Sequence, residues 1–365
     1  NTNINVTNRS MIYSNRCEYN SDFPKEDTMY AYKRVFLIII SLLLITALCA
    51  AMFTSCDSSN GGNTDDTKDS STTPNSSPTG SGDPDDSDGD NPGDDETGEK
   101  PDNNQASRYT KFDLNESYND YDAKITFSDD SVKVDGKGAA ANGTVVTISA
   151  EGTYILTGSC KDGQVIVEVT KQEKVHLVFD KLSLVCKSSA PIWIKSCDKT
   201  SITLVDGTTS TLQDGANYTG LNAEKEPNAC LFSKDDLTIN GTGTLKVYAN
   251  YNNGIVSKDD LKIISGTIYV SAENHGIRGN DSVTIKDGNI TIACKNDGIK
   301  ASNKTKPDKG YVFIEGGTIS IDCGDDALQA VTYITVTGGN IDIEAGGSIV
   351  NCDGEVNVAD GVIKK

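Results

Sequence analysis

The chain has 365 residues, a formal net charge of −20, 36% hydrophobic residues and only two histidines. This composition disfavours a histidine-rich metal site and a histidine-dependent catalytic triad, and the acidic balance argues against nucleic acid as a partner. The charge is uneven: residues 57–105 hold fourteen acidic residues against Lys68 and Lys100, which places −12 of the total in that segment.

Residues 1–56 have the pattern of an export signal. Residues 1–28 form a polar extension without periodicity, which a start assigned too far upstream would explain. In residues 29–56, Lys33 and Arg34 precede the apolar run 35–52, and residues 53–56 resemble a lipobox that ends on Cys56, although Phe53 replaces the usual Leu. An uncleaved membrane anchor is the alternative, because an apolar run of about 18 residues can span a bilayer. Both interpretations predict an exported protein, anchored in the membrane at the cell surface.

Residues 57–105 consist of Asp, Ser, Thr, Gly, Pro and Asn, with almost nothing apolar. Such a composition cannot bury enough surface to offset the entropy of ordering the chain. Like charges extend it further, so we predict a disordered spacer that holds the following domain away from the membrane.

Residues 106–365 contain short β-branched strands separated by Gly, Asn and Asp, with no helical periodicity. A repeat dominates this region. Successive units start 22, 29 and 22 residues apart, and residues 302–308 account for the longer interval. The four best-aligned units begin at Leu261, Val283, Val312 and Ile334.

This register predicts an all-β, single-stranded right-handed parallel β-helix, a solenoid with coils of about 22 residues. Each coil would contribute three short strands, and each strand would pair with the equivalent strand one coil away. A column of small residues supports the alignment, since a packed turn requires them. Its members are Ala249, Ala272, Cys294, Cys323 and Ala345.

The third strand of each coil carries the candidate ligand-binding residues. Its inward residues align as Ile192, Leu231, Ile255, Ile277, Ile299, Leu328 and Ile349. The residues that follow them point outward and form the column Trp193, Phe232, Val256, Arg278, Lys300 and Gln329, with Lys195, Lys234 and Lys258 two positions further on. Aromatic faces stack on sugar rings, and Lys and Arg pair with carboxylates. Equally, these residues could lie beneath neighbouring turns and pair with local acids.

Acidic residues flank the same strand on both sides. Asn or Asp before Gly is ordinary turn chemistry, but this does not explain why Asp297 stacks against Asp325 and Asp326 one coil away. Carboxylates about 5 Å apart repel unless a cation or a proton intervenes. Oxygen-only ligands favour Ca²⁺ over transition metals. We therefore expect Ca²⁺ at Asp297, Asp325 and Asp326, and a second ion along Asp235, Asp259 and Asp281.

Seven cysteines fall within the repeats, an odd number without a CxxC pair. Several occupy inward strand or turn positions, where a free cysteine behaves as a small hydrophobe. We expect mostly free, buried thiols.

Several stretches carry a resemblance, among them Asn253-Gly-Ile-Val-Ser-Lys-Asp-Asp-Leu, Asp297-Gly-Ile-Lys-Ala and Gly324-Asp-Asp-Ala-Leu-Gln-Ala. They are very similar to one family, the carbohydrate-binding β-helix proteins of clostridia and related anaerobes, which adhere to cellulose and polygalacturonate. The resemblance covers about residues 120–350 and implies a pectate-lyase-like right-handed β-helix with bound Ca²⁺. The three aspartates also look like the Asp-Asp-Gly calcium cluster of one pectate lyase group, although Ala327 replaces its Gly. His275 stands where neighbouring repeats have Asn or Asp.

Three functions remain open from the sequence. The first is a monomeric binding protein for plant cell-wall polysaccharide, acidic pectin foremost and cellulose in addition. The second is a Ca²⁺-dependent polysaccharide lyase in which Lys300 or Arg278 would be the catalytic base. The third is a structural surface stalk without a ligand.

Overall fold

The computed structural model describes residues 108–364. The predicted signal segment, its Cys56 and the acidic spacer lie outside the described residues. No residue between 108 and 364 is helical, so this part of the chain offers no helix that could cross a membrane. Twenty-eight strands make up the described region, and the all-β prediction is confirmed.

The larger of two sheets has eighteen strands, which come from the first and second strand of each repeat. They are β1 (Ala123–Phe127), β2 (Val132–Gly136), β5 (Gly152–Cys160), β7 (Lys174–Cys186), β9 (Lys199–Leu204), β10 (Thr209–Asp214), β12 (Asp236–Gly241), β13 (Thr244–Ala249), β15 (Asp260–Ile263), β16 (Thr267–Ala272), β18 (Ser282–Ile285), β19 (Asn289–Cys294), β21 (Tyr311–Ile314), β22 (Thr318–Cys323), β24 (Tyr333–Val336), β25 (Asn340–Ala345), β27 (Glu355–Val358) and β28 (Ile363–Lys364).

The smaller sheet has ten strands, which come from the third strand of each repeat. They are β3 (Ala139–Asn142), β4 (Val145–Ile148), β6 (Gln164–Glu168), β8 (Ile192–Ser196), β11 (Ala229–Ser233), β14 (Asn253–Ser257), β17 (Ile277–Gly279), β20 (Ile299–Ala301), β23 (Leu328–Ala330) and β26 (Val350–Cys352). We call it the third-strand sheet. It carries the predicted ligand-binding column.

Strand pairing follows the repeat. From β10 to β25 every strand pairs in parallel with the strand three places later in the chain, as β13 does with β16 and β16 with β19. The aligned starting residues are direct partners, since Val283 pairs with Leu261 on one side and with Val312 on the other. Antiparallel pairs occur only at the N-terminal end of the described residues, between β1 and β2 and between β3 and β4.

The alternation of each strand decides what is buried. In β16 the exposure alternates along Thr-Ile-Tyr-Val-Ser-Ala, so that Ile268 and Val270 enter the core while Tyr269 remains outside. Burying a side chain of this size contributes about 1.5–3 kcal/mol. The small column is confirmed, because its five members are successive register partners on β13, β16, β19, β22 and β25.

Glycine makes the tight turn between the first two strands of a repeat. Gly266, Gly288, Gly317 and Gly339 occupy equivalent positions and all have a φ between 96° and 131°. Side chains rarely adopt such a φ, which accounts for the recurring glycine.

One predicted alignment is wrong in the last repeat. Leu328 pairs with Val350 rather than with Ile349. The turn before β26 spans residues 346–349 and is as long as the turns before β17, β20 and β23, so the 22-residue spacing from Leu328 leads to Val350. Ile349 and Val350 are adjacent apolar residues, and residue type alone does not distinguish which of them points inward.

All seven cysteines of the described region are free. Cys160, Cys186, Cys197, Cys230 and Cys323 are buried, as the sequence predicts.

Candidate functional site

The predicted outward column is confirmed as a ladder, because its members are register partners on successive strands. Trp193 pairs with Phe232, Phe232 with Val256 and Val256 with Arg278. Lys300 follows Arg278, and Gln329 follows Lys300. Adjacent members therefore lie one strand spacing apart, about 4.8 Å. The ladder divides into an N-terminal half that the chain covers itself and a C-terminal half that is rich in charge.

The prediction that Phe232 is an exposed stacking platform is wrong. Its side chain is fully buried in a small cluster with Ala190, Ala229 and Val256, against which Trp193 and Tyr218 pack. Tyr218 belongs to residues 215–228, which connect β10 to β11 and which we call the covering loop. The sequence shows that this connection is long but does not show which face it packs on.

The covering loop also neutralises two predicted basic residues. Glu226 is buried, with 2% of its surface exposed, and its carboxylate lies 3.0 Å from Lys234 Nζ and 3.5 Å from Lys258 Nζ. Asn222 fixes the loop by donating from its amide to Glu226 and accepting the Glu226 backbone N–H. These two lysines are therefore paired within the chain.

Lys195 and Trp193 lie at the near edge of the covered half. Lys195 pairs with Glu168 at 3.0 Å, and its Nζ lies 5.2 Å from the centre of the Trp193 ring. Trp193 remains partly exposed. Its Nε1 is one of four buried side-chain polar atoms that lack a hydrogen-bond partner within residues 108–364.

The C-terminal half brings Arg278, Lys300 and Gln329 together on β17, β20 and β23. The guanidinium of Arg278 donates to Ser302 Oγ at 3.2 and 3.3 Å. Lys300 Nζ lies 3.4 Å from Asp297 Oδ2 and 3.5 Å from His275 Nε2. Gln329 is partly exposed, and its buried Oε1 is another of the four unpartnered atoms.

Asp297, Asp325 and Asp326 converge beside Lys300. One carboxylate oxygen from each lies within 4.8 Å of the others, and within residues 108–364 they are the one group of this kind. Asp297 and Asp326 are buried, whereas Asp325 faces solvent. Three oxygen donors open on one side fit a hard divalent cation such as Ca²⁺.

Two of these aspartates also hold the backbone of the next repeat. Asp297 Oδ1 accepts the N–H of Asp326 at 3.1 Å, and Asp326 Oδ1 accepts the N–H of Ser348 at 2.7 Å. Two repeats before Asp297, Asn253 Oδ1 accepts the N–H of His275. We call this series the turn ladder.

His275 occupies the same position of the turn ladder as these residues. Its Nδ1 lies 3.2 Å from both the backbone N and the Oδ2 of Asp297. The imidazole therefore contacts both the turn backbone and a carboxylate of the aspartate group, whereas Asn or Asp at this position would contact only the turn backbone.

The charges of the group act on its own pKa values. Burial raises the pKa of Asp297, but the hydrogen bond and charge of His275 together with Lys300 outweigh burial and leave this pKa below its ordinary value. Burial, Asp297 and Asp326 raise the pKa of Asp325. Lys300 and His275 oppose this rise in the pKa of Asp325, and a cation held among the three carboxylates would offset their mutual repulsion.

The second predicted metal line is arranged differently. Asp235 forms an ion pair with Lys171 and accepts the Cys197 N–H at 2.9 Å. Asp281 accepts from Asn303 and lies 3.6 Å from Lys309 Nζ. Within residues 108–364, Asp235, Asp259 and Asp281 do not form a three-carboxylate group. Lysines from neighbouring segments supply positive charge at Asp235 and Asp281.

Comparison with known proteins gives three consistent matches. A family model described as "Carbohydrate-binding domain-containing protein" matches residues 142–363, more than half of the chain. A protein of Acetivibrio thermocellus with the same description is 43% identical over 238 residues, covering 65% of this chain and 83% of the relative. A solved structure, described as the polysaccharide lyase-like protein from C. thermocellum in a gadolinium derivative, is similar with a TM-score of 0.66 and 42% identity. It covers 67% of this chain and 99% of that one.

Proposed function

The chain belongs to the carbohydrate-binding domain-containing proteins, and we propose that it binds an acidic plant cell-wall polysaccharide, polygalacturonate foremost. The proposed site consists of Arg278, Lys300 and Gln329 with Ca²⁺ at Asp297, Asp325 and Asp326. We further propose that the sheets close into a right-handed parallel β-helix. The pairing of each strand with the strand three places later supports this closure, as does the similarity to a polysaccharide lyase-like structure.

The observation that carries the proposal is the adjacency of two opposite chemistries. Arg278 and Lys300 are direct partners on neighbouring strands, and the aspartate group lies at the two turns that precede Lys300 and Gln329. An acidic glycan offers carboxylates at regular intervals along its chain. A cationic pair and a bound Ca²⁺ side by side can hold carboxylates of successive sugars.

Each residue has a distinct part in the proposed binding. Bound Ca²⁺ would supply positive charge and would be coordinated by carboxylate oxygens of the glycan. Arg278 offers a planar guanidinium that can bind a carboxylate through two N–H groups. Gln329, which is partly exposed, can exchange hydrogen bonds with a sugar hydroxyl through its side-chain amide. Asp297 and His275 position Lys300 from behind.

The donor set supports the metal. Three carboxylates without sulfur suit a hard cation, and exposed Asp325 leaves room for an anionic ligand to complete the coordination. The C. thermocellum protein was solved as a gadolinium derivative, and a hard trivalent cation of that kind also prefers oxygen ligands.

Polysaccharide lyase activity is the second candidate, because the similar solved structure is described as polysaccharide lyase-like. Lys300 or Arg278 would then have to remove a proton from the sugar. Both side chains are at most 9% exposed and contact neighbouring polar side chains. These contacts position them as fixed binding groups, and we place binding ahead of catalysis.

The test is retention of the full chain on polygalacturonate in Ca²⁺ and in EDTA. We expect binding in Ca²⁺ that EDTA abolishes. Asp325→Asn should weaken binding in Ca²⁺ by about tenfold, because it removes an exposed ligand that holds no backbone amide. Lys300→Met should weaken binding to a similar degree, and Lys133→Ala, on a distant exposed strand, should have no effect.

Asp325→Asn distinguishes an effect on Ca²⁺ binding from an effect on the stability of the fold. Asp297 and Asp326 hold backbone amides, so replacing either would destabilise the chain with or without Ca²⁺. Absence of polygalacturonate retention in Ca²⁺ would overturn the proposal. Sustained growth of the ultraviolet absorbance of an unsaturated product, lost in Lys300→Met, would establish the lyase instead.

A further inference from the structure

The larger sheet carries an exposed aromatic pair outside the site described above. Tyr248 on β13 is 42% exposed and Tyr269 on β16 is 44% exposed. The other large apolar or aromatic side chains with comparable exposure within residues 108–364 are Leu114, Tyr121 and Val356. Of these five, Tyr248 and Tyr269 are the two that lie on strands paired with each other, β13 and β16. Exposed aromatic clusters of this kind mark interaction sites more often than isolated exposed residues do.

The register places the two rings diagonally across neighbouring strands. Tyr269 pairs with Lys246, and Tyr248 pairs with Ser271. Ser271 in turn pairs with Ala293 on β19. A smaller side chain therefore lies on one side of each ring, Ser271 beside Tyr248 and Thr291 beside Tyr269. The surface forms a shallow depression of about 630 Å³. We call this surface the tyrosine platform; it is lined by Thr209, Thr244, Lys246, Val247, Tyr248, Tyr269, Val270, Ser271, Thr291 and Ala293.

The charge of the tyrosine platform differs from that of the rest of the chain. The net charge is −20, yet no residue that lines the platform is acidic, and its one charged member is Lys246. Lys246 Nζ lies 5.8 Å from the centre of the Tyr269 ring, at a distance where the ring attracts the cation. The remaining polar groups are hydroxyls. A surface without carboxylates and with a single cation offers little to a polyanion or to a metal ion.

We propose that the tyrosine platform is a second carbohydrate-binding site, one that takes a neutral polysaccharide chain. The apolar C–H faces of successive sugars would pack on Tyr248 and Tyr269, as flat aromatic side chains allow. Sugar hydroxyls would exchange hydrogen bonds with Thr244, Thr291 and Lys246. The inference shares with the proposed function only the family's binding of carbohydrate. It requires neither Ca²⁺ nor the Arg278–Lys300 pair.

The shape of the platform is consistent with an extended ligand. The paired strands continue in parallel on both sides of it, and a line of side chains with hydroxyl or amide groups runs along its edge across the strands. This line consists of Thr209, Thr244, Thr267, Asn289, Thr318 and Asn340. Its members recur about every 4.8 Å, so a polysaccharide lying across the strands meets a polar group at regular intervals.

The experiment measures depletion of the full chain by insoluble cellulose, xylan and mannan in EDTA. We expect wild-type protein to be retained on at least one of these neutral glycans. The double variant Tyr248→Ala/Tyr269→Ala should lose about tenfold or more in retention, since two aromatic contacts disappear. The double variant Tyr248→Phe/Tyr269→Phe keeps the rings and should retain most of the binding.

Tyr121→Ala is the matched control, because Tyr121 is 49% exposed but lies outside the platform. It should bind as wild type does. The proposal is overturned if the wild type is retained on none of the three glycans, if the double alanine variant binds as the wild type does, or if Tyr121→Ala loses as much.

Polygalacturonate retention in Ca²⁺, measured on the same proteins, separates the two sites. The alanine pair should leave it unchanged, and Asp325→Asn should leave neutral-glycan retention unchanged. If the wild type is not retained on polygalacturonate but is retained on a neutral glycan, the proposed function is overturned and the proposal for the tyrosine platform is supported.

Discussion

Single polar side chains in this protein hold the backbone of a neighbouring repeat. In the turn ladder, Asn253, Asp297 and Asp326 each accept the backbone N–H of the equivalent residue one repeat later. A buried N–H that lost this acceptor would cost about 1–3 kcal/mol. The aspartates at the proposed metal site therefore serve the fold as well, and only Asp325 faces outward.

Asp113 also connects separate segments of the chain, in this case through ion pairs. It is fully buried and lies 3.3 Å from Lys199 Nζ and 3.3 Å from Lys262 Nζ, and Thr238 donates to it at 2.7 Å. Burial raises the pKa of Asp113, but the charges of Lys262 and Lys199 outweigh burial and lower it to about 2.

We predict that Asp113→Asn lowers the free energy of unfolding at pH 7 by about 3 kcal/mol, because the buried Lys199 and the half-buried Lys262 lose a charged partner. Because the folded pKa is depressed, the contribution of Asp113 is complete above the unfolded pKa near 3.8 and is lost as the pH falls through 2. Denaturant unfolding of both proteins between pH 7 and pH 2 should show the deficit narrowing below pH 4. A constant deficit would contradict it, and exposed Asp135→Asn should cost little.

At the scale of elements, the covering loop decides which part of the third-strand sheet can meet a ligand. Strands β8, β11 and β14 present Trp193, Phe232 and Val256 to the outside of the sheet, but residues 215–228 pack over Phe232 and Val256. Tyr218 anchors the loop by stacking on Tyr251 with ring centres 4.1 Å apart. Beyond the loop, β17, β20 and β23 carry the charged half of the column.

We predict that Glu226→Gln strengthens retention on polygalacturonate. Lys234 and Lys258 lose their carboxylate partner, so the third-strand sheet gains positive charge beside the proposed site. The gain should be several-fold at low salt and should fade as salt rises, because screening weakens interactions between exposed charges. Retention measured across a salt series checks this.

The control for that variant is Asp198→Asn, which frees the exposed Lys174. It should leave retention unchanged. If Glu226→Gln binds no better than the wild type at low salt, the two lysines lie too far from the bound glycan to contribute.

At the scale of the whole molecule, two chemically different surfaces are carried by different sheets. The third-strand sheet holds cations and the aspartate group, and the larger sheet holds the tyrosine platform, which no acidic residue lines. A protein with both could adhere to a wall in which acidic and neutral polysaccharides are mixed. We propose that residues 29–56 anchor it in the membrane through Cys56 and that residues 57–105 space it from the surface.

The anchor is tested by detergent-phase partitioning of the full chain produced in a bacterial host that lipidates proteins. We predict that the wild type enters the detergent phase and that Cys56→Ser remains in the aqueous phase. Partitioning of Cys56→Ser into detergent would instead indicate an uncleaved apolar anchor in residues 35–52.

Much of the architecture could be predicted from the sequence because a repeat constrains it. Stacked strands force inward residues into columns, so the spacing of Val283, Val312 and Ile334 predicts their pairing. The same spacing predicts the alignment of Arg278, Lys300 and Gln329 and the proximity of Asp297 to Asp325 and Asp326, and both are confirmed. Contacts between equivalent residues of successive repeats follow from the repeat spacing, and this spacing can be read from the sequence.

Only the tertiary structure decided what covers these columns. Phe232 has an outward position in the strand pattern, yet a connection with no repeat counterpart buries it and brings Glu226 to two lysines. The exposed pair Tyr248 and Tyr269 likewise depends on which outward residues remain uncovered. Strand periodicity determines whether a side chain points in or out. Whether an outward side chain meets solvent depends on how the irregular segments pack, and those segments follow no period.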